Sequence, residues 1–471
     1  MIWQSARELA RLMRQGELSA VEVMSAHYDR LEAVNPKLNA IVNLLDRDRA
    51  LAKAREADRR LADGQAPGLL HGLPMAPKDL VDAVGFPTTC GFIPFADRMA
   101  KKDSLVIARQ RAAGAIFIGK TNTPEFGLGS HTFNRLFGPT GNPFDPSKSA
   151  GGSSGGAAAA VASGMLPIAD GSDMGGSLRN PASFCGVVGL RPSIGRVPSE
   201  SAMGWFARLD TPGPLARNVA DAALLLAVQA GPDEADPLAL SQPGEQFLGS
   251  LDGNPADWRI AFTADLGFLP VDAEVKAACR AAASVFGDLG CRVTDDCPDL
   301  STAMDIFQIQ RAAKLRLLGQ KLDRETPGWR EHAKDTLLWN VDQGRQLDAD
   351  ALLRAEQQRT LLYALVAEFF REHDALILPA AQVPPFDIDT DWVREVDGKA
   401  MSTYLEWMTV CCAISVTGLP SISVPCGYTV EGLPIGLQIV GKPRGDFELL
   451  KIANAFEQAM AGSIKLRPQI I

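Results

Sequence analysis

The chain has 471 residues, 46% of them apolar and 22% charged, and carries a formal net charge of −9. That balance excludes whole-chain disorder and fibrous repeats, and the length allows a large core without staples. Basic residues form no stripe that would grip nucleic acid, and no apolar run reaches the ~18 residues of a membrane span.

The N-terminal stretch is charged and amphipathic, unlike a signal peptide. Eight cysteines without metal-ligand spacing fit a reduced, cytoplasmic protein, and the adjacent Cys411 and Cys412 suit an apolar helix. Five histidines leave little for histidine-based catalysis or metal binding.

Ser5 with Glu8 and Ser19 with Glu22 are spaced as capping boxes and predict two helices, parted at Gly16 and closed by Asn35-Pro36. A third, charged helix over 44–63 makes residues 1–65 an N-terminal helical segment. From about residue 70, short β-type runs alternate with helices. Strands are expected at 73–77, 115–119, 165–169, 259–263, 375–379, 421–425 and 436–440. Helices are expected at 103–113, 155–163, 218–230, 272–288, 348–373, 401–416 and 445–460. The alternation predicts an α/β fold with a mixed, largely parallel sheet. Residues 231–257, rich in Pro, Gly and Asp, predict a surface connection. Asp387, Asp389 and Asp391 alternate beside Pro384-Pro385, where a solvated acidic loop fits better than a metal site.

Two motif look-alikes fail on physical grounds. The stretch from Gly114 to Lys120-Thr121 has P-loop spacing, but a helical pattern precedes it and the residues between its glycines are themselves a strand. Gly114 therefore reads as a helix-terminating glycine. The loop Gly151-Gly152-Ser153-Ser154-Gly155-Gly156 contains the spacing of a nucleophile elbow, but an elbow follows a strand directly, and here a loop precedes it. A Ser-Asp-His order would also need His332 or His373, and His373 ends a charged helix.

Three segments hold more small or reactive residues than packing needs. In the first, a strand passes through Pro77 into Lys78, which taken alone reads most often as a snorkelling or surface lysine. The second is the Gly/Ser run 151–156, followed by an alanine-rich helix; such a run lets backbone approach a ligand closely. In the third, Asp170 to Arg179, Gly175 and Gly176 can turn N–H groups toward one point just before Ser177, as an oxyanion hole requires. Together they suggest a serine nucleophile activated without histidine. A lysine serves as base only if burial keeps it neutral, and a second serine can relay the proton, since a hydroxyl both donates and accepts.

These segments resemble the amidase signature family. Its pattern is a lysine after a short strand, a Gly-Gly-Ser-Ser-Gly-Gly loop, then an Asp-x-Gly-Gly-Ser turn leading into Arg-x-Pro and Cys-Gly. Lys78, the 151–156 loop, Asp173 to Ser177, Arg179, Pro181, Cys185 and Gly186 occur here in that order, with Ser177 24 residues after Ser153. The core of the match runs from about 70 to 195, and weaker phrases follow at 418–427 and 432–438. The resemblance implies a single amidase domain over 1–471, with a central twisted mixed sheet covered by helices on both faces and the catalytic core at 70–195.

It also implies residue roles. Ser177 would be the acyl-forming nucleophile, Ser153, held by a cis peptide, the bridge, and Lys78 the general base and later acid. The N–H groups from Met174, Gly175, Gly176 and Ser177 would form the oxyanion hole. Ser154, Ser172, Asp173 and Arg179 would fix these loops; Ser172 stands where many relatives carry threonine, and keeps the hydroxyl. Phe126, Gly127 and Leu128 follow Asn122-Thr-Pro-Glu125 on a loop that lines the acyl pocket in relatives. Tyr404, Trp407 and Met408 are further pocket candidates, although their helix fits an ordinary core equally well. If they line the site, an apolar or aryl amide is expected.

The expected activity is hydrolysis of a small-molecule carboxylic amide, or related C–N bond other than a peptide bond, with no metal or organic cofactor. The resemblance suggests a homodimer. One alternative on the same fold is the glutamine-hydrolysing subunit of a tRNA-dependent amidotransferase. Those subunits usually carry a Ser-Arg-Tyr-Gly-like phrase where this chain has Pro198-Ser-Glu-Ser-Ala-Met-Gly-Trp205. The other is a non-catalytic binding protein, against which the intact Lys78, Ser153 and Ser177 argue.

Overall fold

The computed structural model describes residues 1–464 and 467–470. Its centre is an eight-stranded sheet. In chain order the strands are β1 (Ile168–Asp173), β2 (Val188–Arg191), β3 (Thr211–Ala216), β4 (Arg259–Phe262), β5 (Arg292–Asp295), β6 (Ala375–Pro379), β7 (Ser421–Tyr428) and β8 (Pro434–Gly441). Across the sheet they run β5-β4-β6-β8-β7-β2-β3-β1, drawing strands from both sides of the 231–257 connection. That connection holds two 3₁₀ turns, Gly244–Leu248 and Pro255–Asp257.

The sheet is mixed, but the expectation that it is largely parallel does not hold. Only β4 with β5 and β4 with β6 are parallel; the other five pairings are antiparallel. One of these, β7 with β8, is a hairpin, closed by the Thr429 N–H to Leu433 carbonyl bond (2.8 Å), and the others join strands distant in the chain. The runs expected at 73–77 and 115–119 lie outside this sheet and pair with each other, Pro74 beside Ile116 and Met75 beside Phe117. Strands β2, β3 and β5 are not evident from the sequence. Pro212 and Pro214 break the pattern of β3, and they are tolerated because the β2 ladder reaches only Leu215 and Ala216.

Helices flank the sheet. The N-terminal group is α1 (Ala6–Arg14), α2 (Ala20–Leu38) and α3 (Arg47–Ala62). Ser19 and Glu22 form a complete capping box, whereas Glu8 turns to Arg11 (2.7 Å) and leaves only the Ser5 half of the first. Pro36 lies inside α2 rather than ending it. Next come α4 (Leu105–Ala112), α5 (Gly155–Ala162), α6 (Arg179–Cys185), α7 (Val219–Gln229) and α8 (Ala273–Asp288). The second half holds α9 (Ala303–Glu325), α10 (Trp329–His332), α11 (Asp335–Gln346), α12 (Ala349–Glu372), α13 (Thr409–Thr417) and α14 (Asp446–Met460). Helix α9 has no counterpart among the expected elements, and it walls the site.

Every residue of α5 is buried, and its glycines and alanines let it lie close on β1 and β3. Helix α6 packs on α5 and on β2, β7 and β8. Among the described residues no helix is long and apolar enough to cross a membrane. No three His, Cys, Asp or Glu side chains gather as a metal set among them, and Asp387 instead accepts from the Asp389 N–H (2.9 Å).

Candidate active site

Lys78 follows the short strand Pro74–Met75 and is fixed by its neighbours' backbone. The Thr121 N–H donates to the Pro77 carbonyl (2.9 Å), and the Asp79 N–H donates to the Thr121 carbonyl (3.1 Å). The lysine is 1% exposed. Its Nζ donates to Ser153 Oγ and Ser154 Oγ, both at 2.8 Å, and lies 3.3 Å from Ser172 Oγ. Burial pushes its pKa down to about 7, and Asp173 and Asp170 only partly oppose that shift. Lys120, from the P-loop look-alike, is a second buried lysine with a structural task. It donates to the Val81 carbonyl (2.5 Å) and pairs with Asp79 (3.8 Å).

Ser153 and Ser154 sit in the loop that enters α5, and the Gly152–Ser153 peptide is cis. Thr123 Oγ1 donates to the Ser153 carbonyl (3.0 Å), and the Ser154 N–H donates to the Ser177 carbonyl (3.2 Å). The second bond ties the two serine loops together.

Strand β1 lies at the sheet edge and ends at Asp173, so the turn carrying Ser177 leaves the sheet directly. Asp173 holds that turn. Its carboxylate accepts from the Gly176 N–H (2.9 Å), the Leu178 N–H (3.1 Å) and Arg179 Nε (3.0 Å), and it pairs with Arg191 (3.2 Å). Burial alone would raise the Asp173 pKa, but Arg179 and Arg191 outweigh it and hold the group well below the usual carboxylate range. Arg179 is anchored in turn by Gln438 and by Ser415 Oγ (2.8 Å).

Gly176 has φ +112°, and a Cβ there would lie 2.6 Å from Cys411 Cβ, so only glycine fits. Its N–H points at Asp173, which removes it from the expected oxyanion set. Met174, Gly175 and Ser177 remain.

Ser153, Ser172, Met174, Gly175 and Ser177 open onto one cavity of about 400 Å³. Phe126, Gly127 and Leu128 line it as expected, and so does Met408. A Cβ at Gly127 would stand 2.8 Å from Leu80 Cδ1 and 3.4 Å from Ser153 Oγ, so a larger residue would crowd the reacting serines.

Tyr404 and Trp407 are corrected: they line a neighbouring cavity of about 180 Å³ that shares only Leu128 and Gly129 with the first. The expected helix starts late. α13 begins at Thr409, and the single 3₁₀ turn Glu406–Met408 before it does not keep these residues on one face. Among the described residues no histidine lines the catalytic cavity.

Several site residues escaped sequence reasoning. Arg191 and Thr123 support the serine loops. Asp170, almost fully buried, accepts from the Lys78 N–H (3.4 Å), and burial raises its pKa to about 6. Phe307, Arg311, Lys314, Leu315 and Leu318 reach the cavity from α9. Only Asp170 and Thr123 carried a signal, through their place inside the recognised segments.

A buried lysine–serine contact, with Ser177 opening onto the same cavity, is an arrangement for acyl transfer without histidine. The amidase family model matches residues 22–450. An acylamidase of Rhodococcus erythropolis is 36% identical over 459 residues, covering 97% of this chain and 95% of that protein. One of the subunits of the glutamyl-tRNA(Gln) amidotransferase of Thermosynechococcus vestitus is 37% identical over 475 residues, covering 96% and 97%. The crystal structure of a bacterial aryl acylamidase of the amidase signature family matches with a TM-score of 0.91 at 32% identity, over 97% of this chain and 96% of that one. This chain belongs to the amidase family. It is an amidohydrolase acting on C–N bonds other than peptide bonds.

Proposed function

We propose that the chain hydrolyses a small-molecule carboxylic amide through an acyl-enzyme on Ser177. The observation that carries this reading is the contact of Lys78 Nζ with Ser153 Oγ (2.8 Å) in a site closed to water on the lysine side. Neutral Lys78 takes the proton of Ser153 while Ser153 takes that of Ser177 Oγ, which attacks the carbonyl carbon. The resulting oxyanion is met by the N–H groups of Met174, Gly175 and Ser177. The C–N bond breaks as protonated Lys78 returns its proton through Ser153 to the departing nitrogen. Water then repeats both steps on the ester and frees the acid.

The cavity wall is largely apolar, with Leu80, Phe126, Leu128, Phe307 and Leu315 among its residues, which suits an acyl or aryl amide. All eight cysteines are free thiols, which supports a place in the reducing cytoplasm. A homodimer is part of the proposal, to be read from solution mass.

An acyl-enzyme partitions between nucleophiles. With added hydroxylamine, hydroxamate should form at the expense of acid while the rate of amine release stays set by acylation. Amine release without hydroxamate would count against the covalent intermediate.

The second reading is the glutamine-hydrolysing part of an amidotransferase, favoured by the Thermosynechococcus relative. Against it stands the 198–205 stretch, which lacks the expected phrase and presents Ala202 and Met203 to the cavity. Glutamine hydrolysis that rises when a partner protein is added would favour that reading.

A further inference from the structure

Arg311 is the unexplained charge of the catalytic cavity. It lies on α9, is 4% exposed, and lines the same space as Ser153 and Ser177. Among the described residues no carboxylate pairs with it. Its neighbour on the wall, Lys314, is neutralised by Asp210, and Lys321 at the mouth by Glu325 (3.8 Å). Arg311 instead donates to Asn340 Oδ1, and its guanidinium carbon lies 5.5 Å from the centre of the Tyr404 ring. Asn340 is itself fixed, donating from Nδ2 to Tyr404 Oη and to the Thr336 carbonyl, both at 2.6 Å. The arginine is therefore held in place by neutral groups. A buried cation left without a counter-ion is costly, unless a bound anion supplies it.

We propose that Arg311 binds a carboxylate of the substrate, so that the enzyme's substrates are amides with an apolar body and one anionic group. This rests on the acyl-enzyme reading of the same cavity and adds its specificity. Helix α9 sets the spacing. Phe307 packs on the oxyanion turn, since a Cβ at Gly175 would stand 2.8 Å from Phe307 Cζ. Arg311 comes four residues later, about one turn on and about 6 Å along the axis. One planar guanidinium suits a carboxylate, which it can meet with two parallel N–H donors.

The test compares two matched pairs by aniline or aminobenzoate release: succinanilate against butyranilide, with the charge on the acyl side, and 3-acetamidobenzoate against acetanilide, with the charge on the leaving side. In at least one pair wild type should prefer the anion by about 10- to 100-fold in kcat/KM, mainly through KM. That ratio should collapse toward one in Arg311→Met and be partly kept in Arg311→Lys, which guards against a folding defect in the first variant. Equal rates within both pairs, or a preference that survives in Arg311→Met, overturns the proposal. A wild type inert to all four probes and unlabelled at Ser177 by a fluorophosphonate defeats the acyl-enzyme reading instead. The subsite is then judged by melting temperature: a rise with succinanilate in wild type but not in Arg311→Met upholds it, and no difference overturns it.

Discussion

Lys78 Nζ stands 2.8 Å from Ser153 Oγ, on a lysine that is 1% exposed. Burial disfavours the ammonium and brings its pKa down to about 7. The base form is the neutral amine, so kcat/KM should fall about tenfold per unit below pH 7 and level off above it. A profile that stays flat down to pH 4 would remove the lysine from the role of base.

The same burial has a thermodynamic consequence. Unfolded, the lysine titrates near its ordinary 10.5; folded, near 7. Between those values the unfolded chain binds more protons, so stability rises with pH across that window. At pH 7 the lysine is a burden. Lys78→Met should lose about 10³-fold or more in activity, yet gain about 2–4 kcal/mol of stability at pH 7, with a smaller gain at pH 10. Urea melts at the two pH values check this, and a variant less stable at pH 7 would contradict it.

Ser153→Ala removes the relay hydroxyl while Ser154 Oγ still holds the lysine at 2.8 Å. Activity should settle between wild type and Ser177→Ala, because a water can partly replace the hydroxyl. Loss as complete as in Ser177→Ala would mean that Ser153 has a role no water can fill.

Asp173 and Arg179 are both fully buried and joined at 2.9 Å. Arg179→Met leaves Arg191 as the one cation on the carboxylate and should cost about 3–5 kcal/mol. Asp173→Asn together with Arg179→Met should cost less than the sum of the single changes. Additive losses in a denaturant-melt cycle would show that the pair is not coupled.

How far the sequence foretold this molecule depended on where the chemistry sat. Lys78, Ser153 and Ser177 were legible because each lies in a short run whose composition departs from packing needs. Helix α9 was not. Its apolar residues spread around it: Phe307, Leu315 and Leu318 reach the cavity, while Ala303 and Ile306 pack in the core. Arg311 and Lys314 sit on its cavity side, where a surface pattern would place apolar groups, so no stripe emerges. Tyr404 and Trp407 misled for the related reason that a 3₁₀ turn replaced the expected start of α13. Most antiparallel pairs join strands distant in the chain, so no local pattern reports their direction, and Pro212 and Pro214 hid one strand.

The most direct measurement is intact mass after incubation with a fluorophosphonate, comparing wild type with Ser177→Ala. A single adduct on wild type and none on the variant is the predicted result. A folded wild type that takes no adduct, or a variant labelled equally well, would contradict the assignment of Ser177 as nucleophile.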